Sequence, residues 1–428
     1  MSRNCVVNAF RYLAAQGLIY TRHGGGTRVA FAKHLHQRVV HSSDRLRHRG
    51  TATMRKIATD VSAGRGGAFS PGVGPIDLFP LKAWKNLASK VWRRVSPRDL
   101  GYDPGNGHPD LREMIAAYVG VVRGIRCEKE QVIVVSGAQQ AIDLCARVLL
   151  EPGDVACVED PVYLGASSAL VAAGARVVAA PLNEEGLDVH AARNLCGSPR
   201  LIYVTAAHQY PTGVVMSLLT RRSLLQWARE TGAWILDDGF GGDLVYTAEA
   251  IPELHTLDVT ASVIYIGSFS ELLAPALRFG YLVIPPDLVP AFTIARSISG
   301  RGTPTIDQIV LAKFIADGHL GRHLRRVREA CSERQSLLIA GLSTVSAFTG
   351  VSGTSAGTHL VAHLKSSIDD VNISSRARAL GVEAPAIRLY AASAHIDPAL
   401  VLGFGSTDRH AIATGLNLLR EALQSRRA

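Results

Sequence analysis

Short β-branched runs alternate with helical stretches along most of this 428-residue chain, and that alternation constrains the fold more than any other feature. Successive parallel strands joined by helices cross over in the right-handed sense, which builds a mostly parallel sheet with helices on both faces. We therefore predict a doubly wound α/β large domain over residues 61–310. Its predicted strands are 131–135, 155–159, 176–180, 201–205, 233–237, 263–267 and 279–284.

The two ends of the chain differ in pattern from the large domain. From Thr303 to Leu342 the sequence predicts helices, followed by strands at 358–364 and 400–404 and a closing helix from Asp408. These elements predict a small α+β domain over 311–428. At the other end, residues 2–17 predict an amphipathic helix capped by Ser2, and 18–31 predict a hairpin with a glycine-rich tip.

Positive charge is concentrated at the start of the chain. The net charge is +10 overall, from 46 basic and 36 acidic residues, and residues 1–60 hold eleven of the basic and two of the acidic ones. A basic head on a nearly neutral body suggests that the head binds a polyanion. Charge alone leaves a solvated basic tail as an equal alternative. Residues 32–60 predict a basic linker.

Several classes of protein are excluded or disfavoured. No apolar run reaches the ~18 residues of a membrane-spanning helix, and no secretory signal opens the chain. The six cysteines are scattered and never form a C-x-x-C pair, which favours buried thiols in a reducing cytoplasm over disulfides or zinc. His319 and His323 have metal-ligand spacing without a third ligand, so we expect a solvated basic face there and no metal.

Polar groups follow three of the predicted strands. Ser136 and Gly137 stand where a strand opens into a helix, an arrangement that binds anions. Asp237 and Asp238 end a second strand, and a third is followed by hydroxyls and Arg278. Because ligands of such sheets bind at the carboxyl ends of the strands, these groups are expected to converge on a phosphate-bearing ligand.

This ordered set resembles a known family. Residues 61–428 resemble the fold type I aminotransferases that use pyridoxal phosphate, and residues 1–31 resemble the later half of a GntR-type winged helix. That fusion is typical of the MocR-like regulators. The motifs that carry the resemblance are Ser2–Val7, Gly24–Thr27, Asp77–Pro80, Pro109–Glu113, Ser136–Gln140, Glu159–Tyr163, His208–Gly213 and Pro275–Tyr281.

The resemblance implies a cofactor site for pyridoxal 5'-phosphate. Tyr163 would stack on the pyridine ring, Asp238 would keep its nitrogen protonated, and Tyr210 and Phe240 would lie near the ring oxygen. The residues implied at the phosphate are Ser136, Gly137, Ala138, Ser268, Ser270 and Arg278.

Two further residues are implied at the edges of the site. Tyr102 would reach the phosphate of a partner subunit, because sites of this family lie at a homodimer interface. Arg388 would grip the carboxylate of a small amino-acid-like effector or substrate.

The chain departs from the family at the decisive position. The family places the lysine that forms the Schiff base with the cofactor aldehyde directly after Ser270, and this chain has Glu271 there. A carboxylate cannot form an imine. Phe240 also lacks the tyrosine hydroxyl that the family offers to the ring oxygen. We therefore expect a site that holds the phosphate end at most non-covalently and retains no catalytic residue.

Two other interpretations stay open. A lysine from elsewhere in the fold could serve an active class I/II aminotransferase with a vestigial head. A decaying gene product would explain the damaged site equally well.

The head carries the DNA-binding residues that the resemblance implies. Ser2, Arg3, Asn4 and Arg11 would meet the major groove, and Arg22 and Arg28 the backbone. The two helices that precede the recognition helix of a winged helix are missing from the sequence. Either the assigned start codon lies too far downstream, or the head is a remnant, or its apolar face packs on another surface.

Overall fold

The structure is a computed structural model that describes residues 2–30, 67–103, 105–246, 251–300, 302–392 and 396–424. The chain divides into two compact units, residues 1–52 and 53–428. The whole predicted linker, 32–60, lies outside the described residues. Among the described helices, none is long and apolar enough to cross a membrane.

The described residues of the first unit, 2–30, form one helix and one hairpin. Helix α1 spans Arg3–Ala15, and the Ser2 side chain caps it by accepting a hydrogen bond from the Cys5 amide. Strands β1 (Ile19–Arg22) and β2 (Gly26–Val29) pair antiparallel. No described residue of this unit is buried, and the Phe10 side chain on the apolar face of α1 is 48% exposed.

The second unit is built on one eight-stranded sheet with helices on both faces. Its elements in chain order are α2 (Leu81–Trp92), α3 (Pro109–Arg123), β3 (Val132–Val135), α4 (Ala138–Leu149), β4 (Val155–Asp160), α5 (Leu164–Ala172), β5 (Arg176–Asn183), β6 (Gly186–Leu187), α6 (Val189–Cys196), β7 (Leu201–Val204), α7 (Leu218–Thr231), β8 (Trp234–Asp238), α8 (Leu254–Leu257), β9 (Val263–Ser268), β10 (Gly280–Val283), α9 (Val289–Ile298) and α10 (Thr305–Ala316).

The strand order is β3-β10-β9-β8-β7-β4-β5-β6, and the run from β9 to β5 is parallel. Strand β10 runs antiparallel to both of its neighbours. Buried side chains fill β3, β7 and β10 completely, as expected for strands covered on both faces. The predicted mostly parallel α/β sheet is confirmed.

A three-stranded antiparallel sheet closes the unit. It follows α11 (His319–Leu342) and contains β11 (Phe348–Ser352), β12 (His359–Leu364) and β13 (Ala399–Gly403). Helices α11 and α12 (Asp370–Ala379) contact this sheet, and α13 (Arg409–Gln424) packs on these two helices.

An earlier segment also joins this small sheet. The Gly403 amide donates to the Phe69 carbonyl, and the Phe69 amide donates to the Thr407 hydroxyl at 3.1 Å. The Phe69 ring is fully buried. The core of the small domain therefore includes a residue from the start of the second unit.

Three sequence-based expectations are wrong in detail. His323 does not lie on a solvated face: it is fully buried, and its Nε2 lies 2.7 Å from the Leu272 carbonyl oxygen. Cys5 is exposed rather than buried, because no neighbour covers that part of α1. Strand β6 and strand β11 are absent from the predicted elements.

Candidate functional site

The carboxyl end of β3 forms one wall of the site. Gly137 caps α4 with φ +102°, a conformation that favours glycine, and a Cβ built on it would lie 3.5 Å from Nη2 of Arg278. Arg278 is exposed, and its guanidinium has no hydrogen-bond or ion-pair partner among the described residues. The guanidinium therefore lies directly over the start of α4, where the helix offers its free amides.

Two serines stand at the carboxyl end of β9, on the same edge of the sheet. Ser268 and Ser270 are half-buried, and the Ser268 hydroxyl accepts a hydrogen bond from the Ser270 amide at 3.2 Å. Ser136 is half-buried, and its amide donates to Oε1 of Gln140 at 2.7 Å. Hydroxyls, helix amides and a guanidinium without an anionic partner form a donor set that suits a phosphate dianion.

Asp238 lies at the carboxyl end of β8, deep in the same site. Its Oδ2 accepts from the Tyr203 hydroxyl at 2.9 Å, and its Oδ1 accepts from the Phe240 amide at 3.2 Å. Burial raises the pKa of this carboxyl to about 6, although both hydrogen bonds favour the charged form. A cationic nitrogen placed against Asp238 would restore the charged carboxylate, which is what a protonated pyridine ring would supply.

Aromatic rings surround the space beyond Asp238. Tyr163 is half-buried, and its hydroxyl donates to Oε1 of Gln139 at 3.0 Å. Its ring meets the ring of Tyr210 edge-on, with centroids 6.0 Å apart, and Tyr210 meets Phe240 edge-on at 5.2 Å. The hydroxyls of Tyr210 and Tyr390 lie 3.2 Å apart.

Two buried histidines stand behind Phe240. The rings of His208 and His359 are 4.9 Å apart, and burial lowers the pKa of both, that of His359 to about 4. A Cβ on Gly241 or on Gly357, both at positive φ, would lie 2.8 Å or 2.6 Å from Cδ2 of His208. These glycines therefore let the backbone close around a neutral imidazole.

Glu271 occupies the turn after β9. Its Oε1 accepts from the Thr358 hydroxyl at 2.7 Å, and its Oε2 accepts from the Gly241 amide at 3.1 Å. The side chain is buried, and burial raises the pKa of its carboxyl to about 7. The turn is enclosed on its backbone side too, because a Cβ on Gly74 would lie 1.7 Å from the Glu271 carbonyl oxygen.

No described lysine forms a hydrogen bond or ion pair with a residue of this site. Five of them are exposed, and Lys129 is half-buried in an ion pair with Glu113 at 3.5 Å. The exposed ones are Lys82, Lys85, Lys90, Lys313 and Lys365. Lys33 and Lys56 are outside the described residues.

The structure brings most of the predicted site residues to one edge of the sheet, with two exceptions. Arg388 lies on a short turn of 3-10 helix, where its guanidinium pairs with Asp369 and Asp370. Tyr102 is 82% exposed in this single chain. Neither position tests the role that the resemblance implies.

Sequence reasoning missed several residues of the site. Thr358, His359 and Tyr390 belong to the small domain, which reaches the site only through the tertiary fold. Gln139 and Tyr203 bind predicted residues, but glutamine in a helix and tyrosine in a strand carry no local signal of that contact.

Comparison with known proteins identifies the family. Residues 72–377 match the family model described as aminotransferase class I and II. The chain is 34% identical over 432 residues to a protein of Rhizobium meliloti described as probable rhizopine catabolism regulatory protein MocR, covering 99% of this chain and 86% of that protein. The chain belongs to the MocR-type regulators.

Two further similarities agree with this membership. This MocR-type chain is 28% identical to the pyridoxine biosynthesis transcriptional regulator PdxR of Corynebacterium glutamicum, over 99% of the chain and 88% of that protein. Among solved structures it resembles LysN, an α-aminoadipate aminotransferase from Thermus thermophilus, with TM-score 0.79 and 26% identity over 89% of this chain and 98% of that one. The second unit therefore has the fold type I aminotransferase fold.

Proposed function

We propose that this MocR-type chain is a DNA-binding transcriptional regulator whose aminotransferase-like domain binds a pyridoxal-phosphate-type ligand without covalent attachment and without transamination. The observation that carries the proposal is Glu271. It is buried where the resemblance expects the Schiff-base lysine and is held by Thr358 and Gly241, while five of the six described lysines are exposed.

The residues present fit the phosphate and ring of such a ligand. Arg278, Ser136 and Ser268 with the start of α4 would hold the phosphate, and Asp238 would hold the pyridine nitrogen. When bound to a lysine-bearing relative, the cofactor supplies an electron sink for amino-acid chemistry. Here the chain has no amine at the matching position, so its residues would bind and orient the ligand only.

The test of non-covalent binding compares the wild-type chain with Glu271→Lys. Each is incubated with pyridoxal 5'-phosphate, reduced with borohydride, denatured and weighed by intact mass spectrometry. We expect wild type to bind the ligand in equilibrium dialysis and to lose it on denaturation, whereas Glu271→Lys keeps one phosphopyridoxyl group. A pyridoxyl-lysine in the wild-type chain would contradict the proposal and support an active aminotransferase.

DNA binding is proposed for the first unit. Arg3, Arg11, Arg22 and Arg28 are exposed, and no acidic residue occurs among residues 2–30. Each phosphate that such a side chain neutralises should add about −0.9 to the slope of log affinity against log salt. Gel-shift titrations with DNA from upstream of the chain's own gene should show this dependence.

The proposal predicts how individual head residues contribute. Arg11→Ala and Arg28→Ala should each weaken the salt dependence, and Lys85→Ala on the second unit should leave it unchanged. Equal binding of upstream and random DNA at every salt concentration would contradict a regulatory role.

The proposed effector is a small amino-acid-like molecule, and the proposed assembly is a homodimer. Arg388 would have to leave Asp369 and Asp370 in order to grip an effector carboxylate. Arg388→Lys should then weaken effector binding, because an ammonium cannot form the two parallel hydrogen bonds of a guanidinium. Sedimentation of wild type against Tyr102→Ala, with and without ligand, tests the dimer and the contribution of Tyr102.

A further inference from the structure

Two buried carboxyl groups are held by consecutive amides of one loop. The Phe240 amide donates to Asp238, and the next amide, that of Gly241, donates to Glu271. Asp238 is 6% exposed and Glu271 is 9% exposed. One loop therefore contacts both carboxyls through adjacent amides, and these carboxyls follow strands β8 and β9 at the same edge of the sheet.

Neither carboxyl has a cationic partner among the described residues. Asp238 accepts from a tyrosine hydroxyl and an amide, and Glu271 accepts from a threonine hydroxyl and an amide. Arg123, the buried cation whose charge acts on Glu271, is itself bound to Asp243 at 3.1 Å and to Glu253 at 3.0 Å. A buried carboxylate without a counter-charge is costly, so a ligand that brings cationic groups gains from both sites.

The anion-binding end is separate from these carboxyls. Arg278 lies over the start of α4, next to Gly137, and it has no acidic partner among the described residues. The site thus combines one cationic end with two anionic positions, one at the ring nitrogen and one at the place of the family's lysine. Its ligand should carry a phosphate and two cationic nitrogens.

We propose that the site selects the amine form of the B6 phosphates, a pyridoxamine 5'-phosphate-type ligand, with Asp238 on the pyridine nitrogen and Glu271 on the primary amine. This inference rests on the proposed function, since it specifies the ligand of the same site. The aldehyde form offers Glu271 an acceptor in place of a donor. The alcohol form, pyridoxine 5'-phosphate, offers a neutral hydroxyl.

No covalent bond forms or breaks in this recognition. The ligand ammonium donates hydrogen bonds to the Glu271 carboxylate, and where Glu271 is protonated in the free protein its proton leaves to solvent. Asp243 and Arg123 act on this carboxyl with opposite sign, and Tyr246 and Cys331 are its other titratable neighbours. Amine binding should therefore strengthen with rising pH up to about 7, where the carboxyl is half ionised.

Calorimetric titration of the full chain with the three B6 phosphates tests the inference. At pH 8 we expect the amine form to bind about 10- to 100-fold more tightly than the alcohol form, the gain of a hydrogen bond to a charged partner. Glu271→Gln, which keeps the shape and can still accept from Gly241, should remove this preference for the amine over the alcohol form. The exposed Glu184→Gln is the matched control and should behave as wild type.

The outcomes separate the two proposals. Equal affinity for amine, alcohol and aldehyde forms, or a preference that survives in Glu271→Gln, would overturn the amine selectivity and leave non-covalent binding intact. No binding of any form to the folded chain would overturn both. The ligand phosphate and Asp238 titrate in the same pH range. The pH dependence is therefore measured as the ratio of the association constants of wild type and Glu271→Gln for the amine form.

Discussion

Replacing Glu271 by glutamine should change how the stability of the ligand-free protein depends on pH. Burial raises the pKa of this carboxyl from 4.5 to about 7, so the folded state holds a proton that the unfolded state has already lost between these values. The contribution of Glu271 to stability is therefore complete below pH 4.5 and is lost as the pH rises through 7. Glutamine does not titrate, so its contribution to stability is the same at every pH.

The size of the effect follows from the pKa shift. A shift of this size corresponds to about 3 kcal/mol, since one pKa unit is worth about 1.4 kcal/mol. For a folded unit of this length we expect a difference of about 4 °C in unfolding midpoint. The midpoint of Glu271→Gln relative to wild type should rise by that amount between pH 4 and pH 8.

Thermal unfolding followed by circular dichroism at several pH values measures this difference. The other buried carboxyls with raised pKa values, Glu159, Asp237 and Asp238, are common to both proteins and cancel in the comparison. Glu184→Gln should show no pH-dependent difference from wild type. A constant offset between Glu271→Gln and wild type from pH 4 to pH 8 would refute the reasoning that Glu271 is buried without a cation.

Three further predictions concern the framework of the second unit. Arg123→Met should destabilise this unit by about 3 kcal/mol in urea unfolding, because Asp243 and Glu253 lose their buried cation. The control Arg147→Met, which breaks an exposed ion pair with Asp143, should destabilise it by less than about 1 kcal/mol. Phe69→Ala should cost about 3–5 kcal/mol in the same assay, against little for the half-exposed Leu389→Ala. The exposed Cys5 should react first with a thiol reagent, in a fast phase of the reaction that Cys5→Ser abolishes. The buried Cys145 should react only on unfolding, because burial raises the pKa of its thiol.

The sheet could be predicted from sequence because its strands are buried on both faces. Strands β3, β7 and β9 are short apolar runs between turns, and such runs leave few alternatives once helices separate them. Strand β6 has only two residues, and β11 has no fully buried residue, so neither forms a hydrophobic pattern. His323 appears polar among arginines, yet the fold turns its side of α11 toward Leu272.

The residues of the candidate site also fall into those that the sequence could predict and those that it could not. Groups that follow a strand directly, such as Ser136, Asp238 and Ser268, could be predicted because the topology of a parallel sheet brings strand ends together. The environment of Glu271 could not, since Thr358 is 87 residues away in sequence and meets it only when the small domain packs on the sheet. Ion pairing of Arg388 with Asp369 and Asp370 likewise depends on the packing of α12.

The segment from Phe69 to Gly74 links the small sheet to the turn that carries Glu271. Phe69 is hydrogen-bonded to the small sheet. Gly74, five residues further along the chain, packs closely against the carbonyl group of Glu271. A tether of that length spans at most about 18 Å, so it has little slack once both ends are fixed. Any displacement of the small sheet on ligand binding would therefore pull on the first residues of this unit that the structure describes.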